Sequence, residues 1–214
     1  MQTLFTFFKK YNIIYYKLKK ERKKSMKVLV IVDMQNDFID GVLGTPEAQA
    51  IVPKIVDKIK QYEGTDTLLL FTKDTHYENY LETQEGKNLP IPHCIHMTEG
   101  WQLNKQISGY ANIASLYTLH TCDIINSRIQ KDTFGSIKLM NILSENKSKI
   151  DEIIFVGVCT DICVISNAIM AKAAVPEALI TVDAACCAGV TPERHKTALE
   201  AMKACQINII NEED

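Results

Sequence analysis

No run of about 18 consecutive apolar residues occurs in the 214-residue sequence, so it offers no membrane-spanning helix. An even, regularly spaced cysteine set is also missing. Cys94, Cys122, Cys159, Cys163, Cys186, Cys187 and Cys205 are odd in number and mostly embedded in apolar stretches. That excludes a disulfide framework and suggests a reducing, cytoplasmic setting. The apolar run 4–8 precedes a lysine cluster, the reverse of a secretory signal, and no small-residue cleavage site follows it. Internal repeats and low-complexity stretches are absent. So is an overall basic excess: the net charge is −2, with about +7 in residues 1–25 and about −9 in 26–214. The acidic remainder argues against nucleic acid as a partner.

What is present is an ordinary globular composition, 46% hydrophobic and 23% charged, with room for one good core. The basic segment 1–25 reads either as a membrane-surface helix or as translation begun upstream of a start at Met26. The second reading is favoured because a strand opens immediately after Met26. The segment is expected to stand outside the fold, leaving 26–214 as a single domain.

Apolar runs of strand type alternate with helical spacing along that domain. Strands are expected at 28–32, 67–72, 123–129, 152–157, 178–183 and 207–210. Helices are expected from Thr45-Pro46 to Gly64, at 136–147, 161–174 and 192–205, with one short helix at most in 101–121. Inward faces are assigned to Ile137, Met140 and Leu143 in the first of these three, and to Ile162, Ile165, Ala168 and Ile169 in the next. Repeated alternation of this kind predicts an α/β fold with a mostly parallel sheet of about six strands covered on both faces. Ligands of such sheets gather beyond the carboxyl ends of the strands. Asp33, Asp74, His76, Lys131 and Cys163 all fall there.

The segment 157–164 runs from an apolar strand through a sharp turn into a helix capped by Thr160 or Asp161. It sets Cys163 in the first helical turn, where free N–H groups and the helix dipole favour a thiolate. A lowered thiol pKa is therefore expected, although a buried structural cysteine fits the same pattern. Asp33 can serve as proton acceptor and Lys131 as charge partner. A strand-end turn residue and a solvated lysine are the plainer readings of those two. Asp74-Thr75-His76 puts two ligand types on one side of a strand end. His93, His96, Glu82 and Glu85 follow within a long loop, 74–100. Carboxylate with imidazole suits zinc, iron or manganese, while solvated loop residues are the alternative.

Three segments carry a family resemblance. Asp33-Met34-Gln35-Asn36-Asp37-Phe38 resembles the D-x-Q-x-D-F opening of the isochorismatase-like cysteine hydrolases. Lys131-Asp132-Thr133-Phe134 resembles their K-x-x-F segment, and 157–164 resembles their G-V-x-T-D-x-C-V nucleophile turn. Together the three span about residues 27–210. The resemblance implies a three-layer α/β/α Rossmann-like fold and a catalytic triad of Asp33, Lys131 and Cys163. It implies a cis peptide joining Val158 to Cys159, and an oxyanion hole formed by the backbone N–H groups of Cys159 and Cys163. Within the family, the D-x-H and the His93-Cys94 pair are similar to the metal set of the nicotinamidase branch. That similarity implies a divalent ion on Asp74, His76, His93 and Glu85, the last chosen over Glu82. Such an ion would bind the ring nitrogen of a pyridine carboxamide directly or through water.

Phe38 and Phe134 match ring-lining positions. The position that often carries an aromatic wall holds Pro90 or, with one inserted residue, Leu89; Trp101 either rebuilds that wall or is plain packing. The implied activity is cleavage of a small aromatic carboxamide, nicotinamide first, through a thioester. The rivals are another amide- or ureido-cleaving hydrolase of the superfamily and a catalytically silent binding member. Relatives are commonly homo-oligomeric.

Overall fold

The structure, a computed structural model, describes residues 26–121 and 127–212, except for the side chains of 115–121. The basic segment 1–25 and most of the expected third strand lie outside the described residues. Six strands form one parallel sheet: β1 Met26–Val32, β2 Thr67–Asp74, β3 Arg128–Lys131, β4 Ile150–Val158, β5 Leu179–Ala188 and β6 Asn208–Ile210. Their order is β3-β2-β1-β4-β5-β6. Val28, Val30 and Val32 of β1 enter one core cluster, and Leu29 and Ile31 enter the other. Burial on both faces is what makes this strand read as a continuous apolar run.

Helices α1 Asn36–Ile39, α2 Pro46–Tyr62 and α4 Lys105–Thr121 supply side chains to the Leu29 cluster. Helices α5 Ile137–Glu145, α6 Ile165–Ala174 and α7 Pro192–Ala204 cover the other face. Three layers result, the α/β/α arrangement expected. The start of α2 shows the local logic. Thr45 Oγ1 accepts the Ala48 N–H at 3.0 Å and Pro46 takes the first helical position. Ile51, Val52, Ile55 and Ile59 then fall on one buried stripe. Among the described residues, no helix is long and apolar enough to cross a membrane.

Four sequence expectations are corrected. Residues 101–121 hold not a short helix but the 17-residue α4. Two of its inward positions, Ala111 and Ala114, are small, which flattens the apolar signal. The third strand is Arg128–Lys131, because β2 continues to Asp74 and pairs Phe71 with Arg128 through Asp74 with Lys131. Ile137 is 68% exposed. The Ser136 cap, accepting the Leu139 N–H at 3.1 Å, phases α5 so that Leu139 packs inward with Met140 and Leu143. Ile169 is 41% exposed as well. A wide π turn at Thr160–Val164 precedes α6, and its extra residue rotates the buried face onto Asn167, Ala168 and Ala171. The long loop also gains local structure, a 3₁₀ turn at Tyr80–Glu82 and the short helix α3 Gln84–Asn88.

The strand order reverses between β1 and β4, which opens a crevice at their carboxyl ends. Gly157, at φ +121°, lets the two strand ends close up, since a Cβ there would overlap the Val32 carbonyl oxygen. Asp33 follows β1, the Cys159–Val164 turn follows β4, and Asp74 and Lys131 end β2 and β3.

Candidate active site

Lys131 is the hub of the crevice. Its Nζ stands 2.7 Å from Asp33 Oδ2, 3.2 Å from Asp74 Oδ1 and 3.5 Å from Cys163 Sγ. The lysine is buried, which removes the solvated-surface reading. Burial alone would lower its pKa, but Asp33, Cys163 and Asp74 outweigh it and hold the ammonium well above the usual lysine range. Asp33 is fully buried at φ +50°, with Oδ1 accepting the Thr72 hydroxyl at 2.7 Å. Oδ2 keeps no directed hydrogen bond. Burial raises the Asp33 pKa, Lys131 opposes that and Asp74 adds to it; the net direction is up.

The expectation of an acidic Cys163 is overturned. Burial pushes the thiol well above its ordinary range; Lys131 pulls it down, while Asp33 and Asp74 push it further up. One ammonium is shared between two carboxylates, and the sulfur has left water. The group at rest is therefore a thiol beside a carboxylate of raised basicity. Cys163 also sits in the π turn rather than in a regular first helical turn, and neither expected cap forms. The N–H groups of Ile162 and Val164 both donate to the Cys159 carbonyl. The Val158–Cys159 peptide is cis.

Thr160 and Asp161 instead brace the turn against α7. Thr160 Oγ1 meets His195 Nδ1 at 2.7 Å, and Asp161 pairs with Arg194 Nε at 2.7 Å while accepting the Val190 N–H at 3.0 Å. His195→Ala is expected to lower kcat by about 10–100-fold through loss of alignment, with KM nearly unchanged. Steady-state kinetics on the purified variant check this, and an unaltered kcat would contradict it.

A second cluster stands against the first through Asp74. Ligand-type atoms of Asp74, His76, Glu85 and His93 all lie within 4.8 Å of one another. Asp74 Oδ2 is 3.0 Å from His76 Nε2 and 3.4 Å from His93 Nε2; Glu85 Oε1 is 3.5 Å and 4.0 Å from the same nitrogens. His93 Nδ1 meets the Ile91 carbonyl at 2.8 Å, which it can only do as a donor, so in the neutral ring the lone pair is on Nε2. Buried His76 Nε2 makes no directed hydrogen bond. Two imidazole nitrogens and two carboxylates converging in this way fit a divalent ion. Glu82 is not part of the group.

Burial lowers the His76 pKa, but contact with Asp74 and Glu85 carries it up to about 9. Burial acts on Asp74 in the raising direction; Lys131 and the two histidines override it and hold that carboxyl below the usual range.

Several positioning residues had no role assigned from the sequence. Gln35 Oε1 accepts the Asp74 N–H at 2.7 Å, and its amide donates to the carbonyls of Asp74 and Trp101 at 2.8 and 3.0 Å. Asp37 Oδ2 accepts the Cys94 N–H at 2.7 Å, fixing the chain beside His93. Both belong to the D-x-Q-x-D-F segment, so the motif's spacing was the available signal. Tyr80 packs against both histidines, with ring centroids at 4.6 and 5.1 Å, and donates to the Leu89 carbonyl at 2.9 Å. Asn167 donates to the carbonyls of Phe134 and Cys163 at 3.0 and 2.8 Å, tying the β3–α5 loop to the Cys159–Val164 turn.

Phe38 lies edge-on to His93 at 5.5 Å. Leu89 and Phe134 are partly exposed, at 37% and 44%. Trp101 is core packing: its indole N–H donates to Thr75 Oγ1 at 2.9 Å, and Lys73 covers its face.

Fold and site define an α/β protein with sulfur, ammonium and carboxylate gathered at the switch point of a parallel sheet. The chain belongs to the isochorismatase family: the isochorismatase domain model matches residues 27–214. It is similar to the nicotinamidase of Saccharomyces cerevisiae, 26% identical over 217 residues that cover 87% of this chain and 100% of the relative. The nicotinamidase/pyrazinamidase of Mycobacterium tuberculosis is 28% identical over 192 residues, covering 86% and 98%. Among solved structures, the nicotinamidase/pyrazinamidase of Bacillus subtilis matches with a TM-score of 0.71 and 26% identity, over 86% of this chain and 98% of its own.

Proposed function

We propose that the chain is an amidohydrolase that converts nicotinamide to nicotinate and ammonia through a thioester on Cys163. The observation that carries this reading is Lys131 Nζ within 3.5 Å of Cys163 Sγ, 2.7 Å of Asp33 and 3.2 Å of Asp74, the last a member of the four-residue ligand group. Asp33 takes the thiol proton, and the sulfur attacks the carboxamide carbon. The backbone N–H groups of Cys159 and Cys163 hold the tetrahedral oxyanion. Asp33 then returns its proton to the departing nitrogen, ammonia leaves, and the acyl group stays on sulfur. Water gives a proton to Asp33, attacks the thioester and releases the acid and the thiol. Lys131 stays charged throughout and stabilises whichever of Asp33 and Cys163 is the anion.

Asp74, His76, Glu85 and His93 would hold a divalent ion, zinc in our assignment, with iron or manganese compatible with the same donors. That ion would supply a Lewis-acidic point for the pyridine nitrogen, orienting the amide toward Cys163. Phe38, Phe134 and Leu89 would line the ring. The same reading assigns 26–214 to one hydrolase domain.

An ammonia-release panel of nicotinamide, pyrazinamide, aliphatic amides and ureides tests the substrate. Nicotinamide is expected to lead the aliphatic amides and ureides by at least about 100-fold in kcat/KM, a difference of roughly 2.7 kcal/mol. Rates on nicotinamide no higher than on aliphatic amides or ureides would contradict the reading. Metal affinity carries a pH signature. His76 titrates near 9 in the metal-free protein, above its ordinary 6.5, so it stabilises that state fully below 6.5 and loses the contribution as pH rises toward 9. A bound ion needs the neutral ring, so the rise in Tm produced by zinc is expected to grow over the same interval. A zinc effect independent of pH would count against His76 as a ligand.

A further inference from the structure

The four ligand-type residues come from three stretches of chain and are not held equally. Asp74 ends β2, and His76 follows it. The His76 N–H donates to the Cys94 carbonyl at 3.0 Å, and the His76 carbonyl accepts the His96 N–H at 2.8 Å. These two bonds tie the His93 stretch to the same strand end. Among the described residues, no backbone hydrogen bond joins Glu85 to the sheet. Glu85 rides on α3, a helix of five residues within the loop, and that helix is fastened through Tyr80.

Tyr80 is the bulkiest fully buried side chain among the described residues, yet it belongs to neither core cluster. Its burial is against the ligand group instead. The ring stands 4.6 Å from His76 and 5.1 Å from His93, centroid to centroid. The Tyr80 carbonyl accepts the Thr83 N–H at 2.9 Å and the Thr83 hydroxyl at 2.7 Å. That hydroxyl oxygen in turn accepts the Gly86 N–H at 3.0 Å, capping α3. Gly86 lies so close that a Cβ there would overlap the Tyr80 carbonyl, so the residue beside Glu85 has to be glycine. Past the far end of α3, the Tyr80 hydroxyl donates to the Leu89 carbonyl at 2.9 Å.

We infer that Tyr80 is a positioning residue that locks the ligand group and the ring-lining Leu89 into one frame, an inference that rests on the metal and substrate reading proposed above. The Tyr80 ring confines the two imidazoles, its carbonyl seats the helix that delivers Glu85, and its hydroxyl sets Leu89. These tasks use different atoms, so substitution separates them. Tyr80→Phe keeps ring and carbonyl and loses only the hold on Leu89. Tyr80→Leu loses the ring as well. Gly86→Ala and Thr83→Ala leave Tyr80 whole and loosen the seat of α3. Removing the outer partners of metal ligands typically costs about 10–100-fold in affinity.

Cobalt(II) is the probe, since its visible bands report coordination geometry. The full-length protein is stripped with a chelator and titrated with cobalt, and affinity is read by competition with a chromophoric chelator. KM and kcat for nicotinamide are measured on zinc-loaded samples. Cobalt affinity is expected to fall at least about tenfold in Tyr80→Leu and Gly86→Ala, with altered bands, and severalfold in Thr83→Ala. Tyr80→Phe should bind cobalt within about threefold of wild type and raise KM at least about fivefold, with kcat changed less. Glu82→Gln, exposed on the same turn and outside the ligand group, should match wild type. If Tyr80→Leu or Gly86→Ala does not fold, Thr83→Ala and Tyr80→Phe carry the comparison. Wild-type affinity and bands in every folded variant of Tyr80, Thr83 and Gly86 would overturn the inference, as would an unchanged KM in Tyr80→Phe. No cobalt binding by wild type would remove the metal reading and the inference together. Cobalt binding without ammonia release would sink the substrate reading, while the affinities of Tyr80→Leu and Gly86→Ala still decide the inference.

Discussion

Cys163→Ala is expected to fold, to bind substrate, and to lose turnover by about 10,000-fold or more, the scale seen when a nucleophile is removed. The size of the loss follows from the site's construction. Cys163 has the Lys131 ammonium 3.5 Å from its sulfur and sits on a turn braced by α7. A serine cannot substitute, because its hydroxyl is far harder to ionise and burial makes ionisation harder still. Cys159→Ala is the matched control. Its role in the mechanism belongs to the backbone, so activity should stay within a few-fold of wild type. Ammonia release by both variants, with Tm as the check on folding, separates a reacting sulfur from a packed one. Comparable activity in Cys163→Ala and wild type would remove the nucleophile from the account.

Lys131→Met should be nearly as damaging to turnover and, unlike Cys163→Ala, should also damage stability. The ammonium is the shared counter-charge of Asp33 and Asp74, both buried. Removing one partner of a buried ionic group typically costs about 3–5 kcal/mol. For a chain of this size that corresponds to roughly 10 °C in Tm. The loss should depend on pH, with a definite sign. Burial already raises the Asp33 pKa against Lys131's opposition, and without Lys131 it rises further. A carboxyl whose folded pKa lies above its unfolded value contributes stability at low pH and loses it as pH rises. The Tm gap between variant and wild type should therefore widen from pH 5 to pH 8, the physiological span on either side of neutral. A constant gap across that range would mean that Lys131 fills space and does not balance charge.

The site was more legible in the sequence than the helices that carry it. Strands such as β1 and β4 announce themselves because both faces are buried, and the D-x-Q-x-D-F, K-x-x-F and nucleophile segments have fixed spacing. The family resemblance, through its D-x-H and His-Cys segments, pointed to Asp74, His76 and His93, with Glu85 chosen over Glu82, and these four lie together. Helix α4 was not, since small inward residues such as Ala111 and Ala114 leave little periodic signal. Thr72 and Asn167 escaped because each joins segments far apart in the chain, and nothing local marks them. The acidity expected for Cys163 failed for a related reason. A helix-start position predicts a stabilised thiolate, but burial with two carboxylates close by is a tertiary fact and outweighs it.

The covalent step is tested most directly by mixing enzyme in excess with nicotinamide, quenching in acid within the first turnover, and mapping the peptides by mass. One nicotinoyl group is expected on the peptide containing Cys163, appearing as ammonia is released and absent from Cys163→Ala. Stoichiometric ammonia release with every cysteine unmodified, or acylation of a different cysteine, would contradict it.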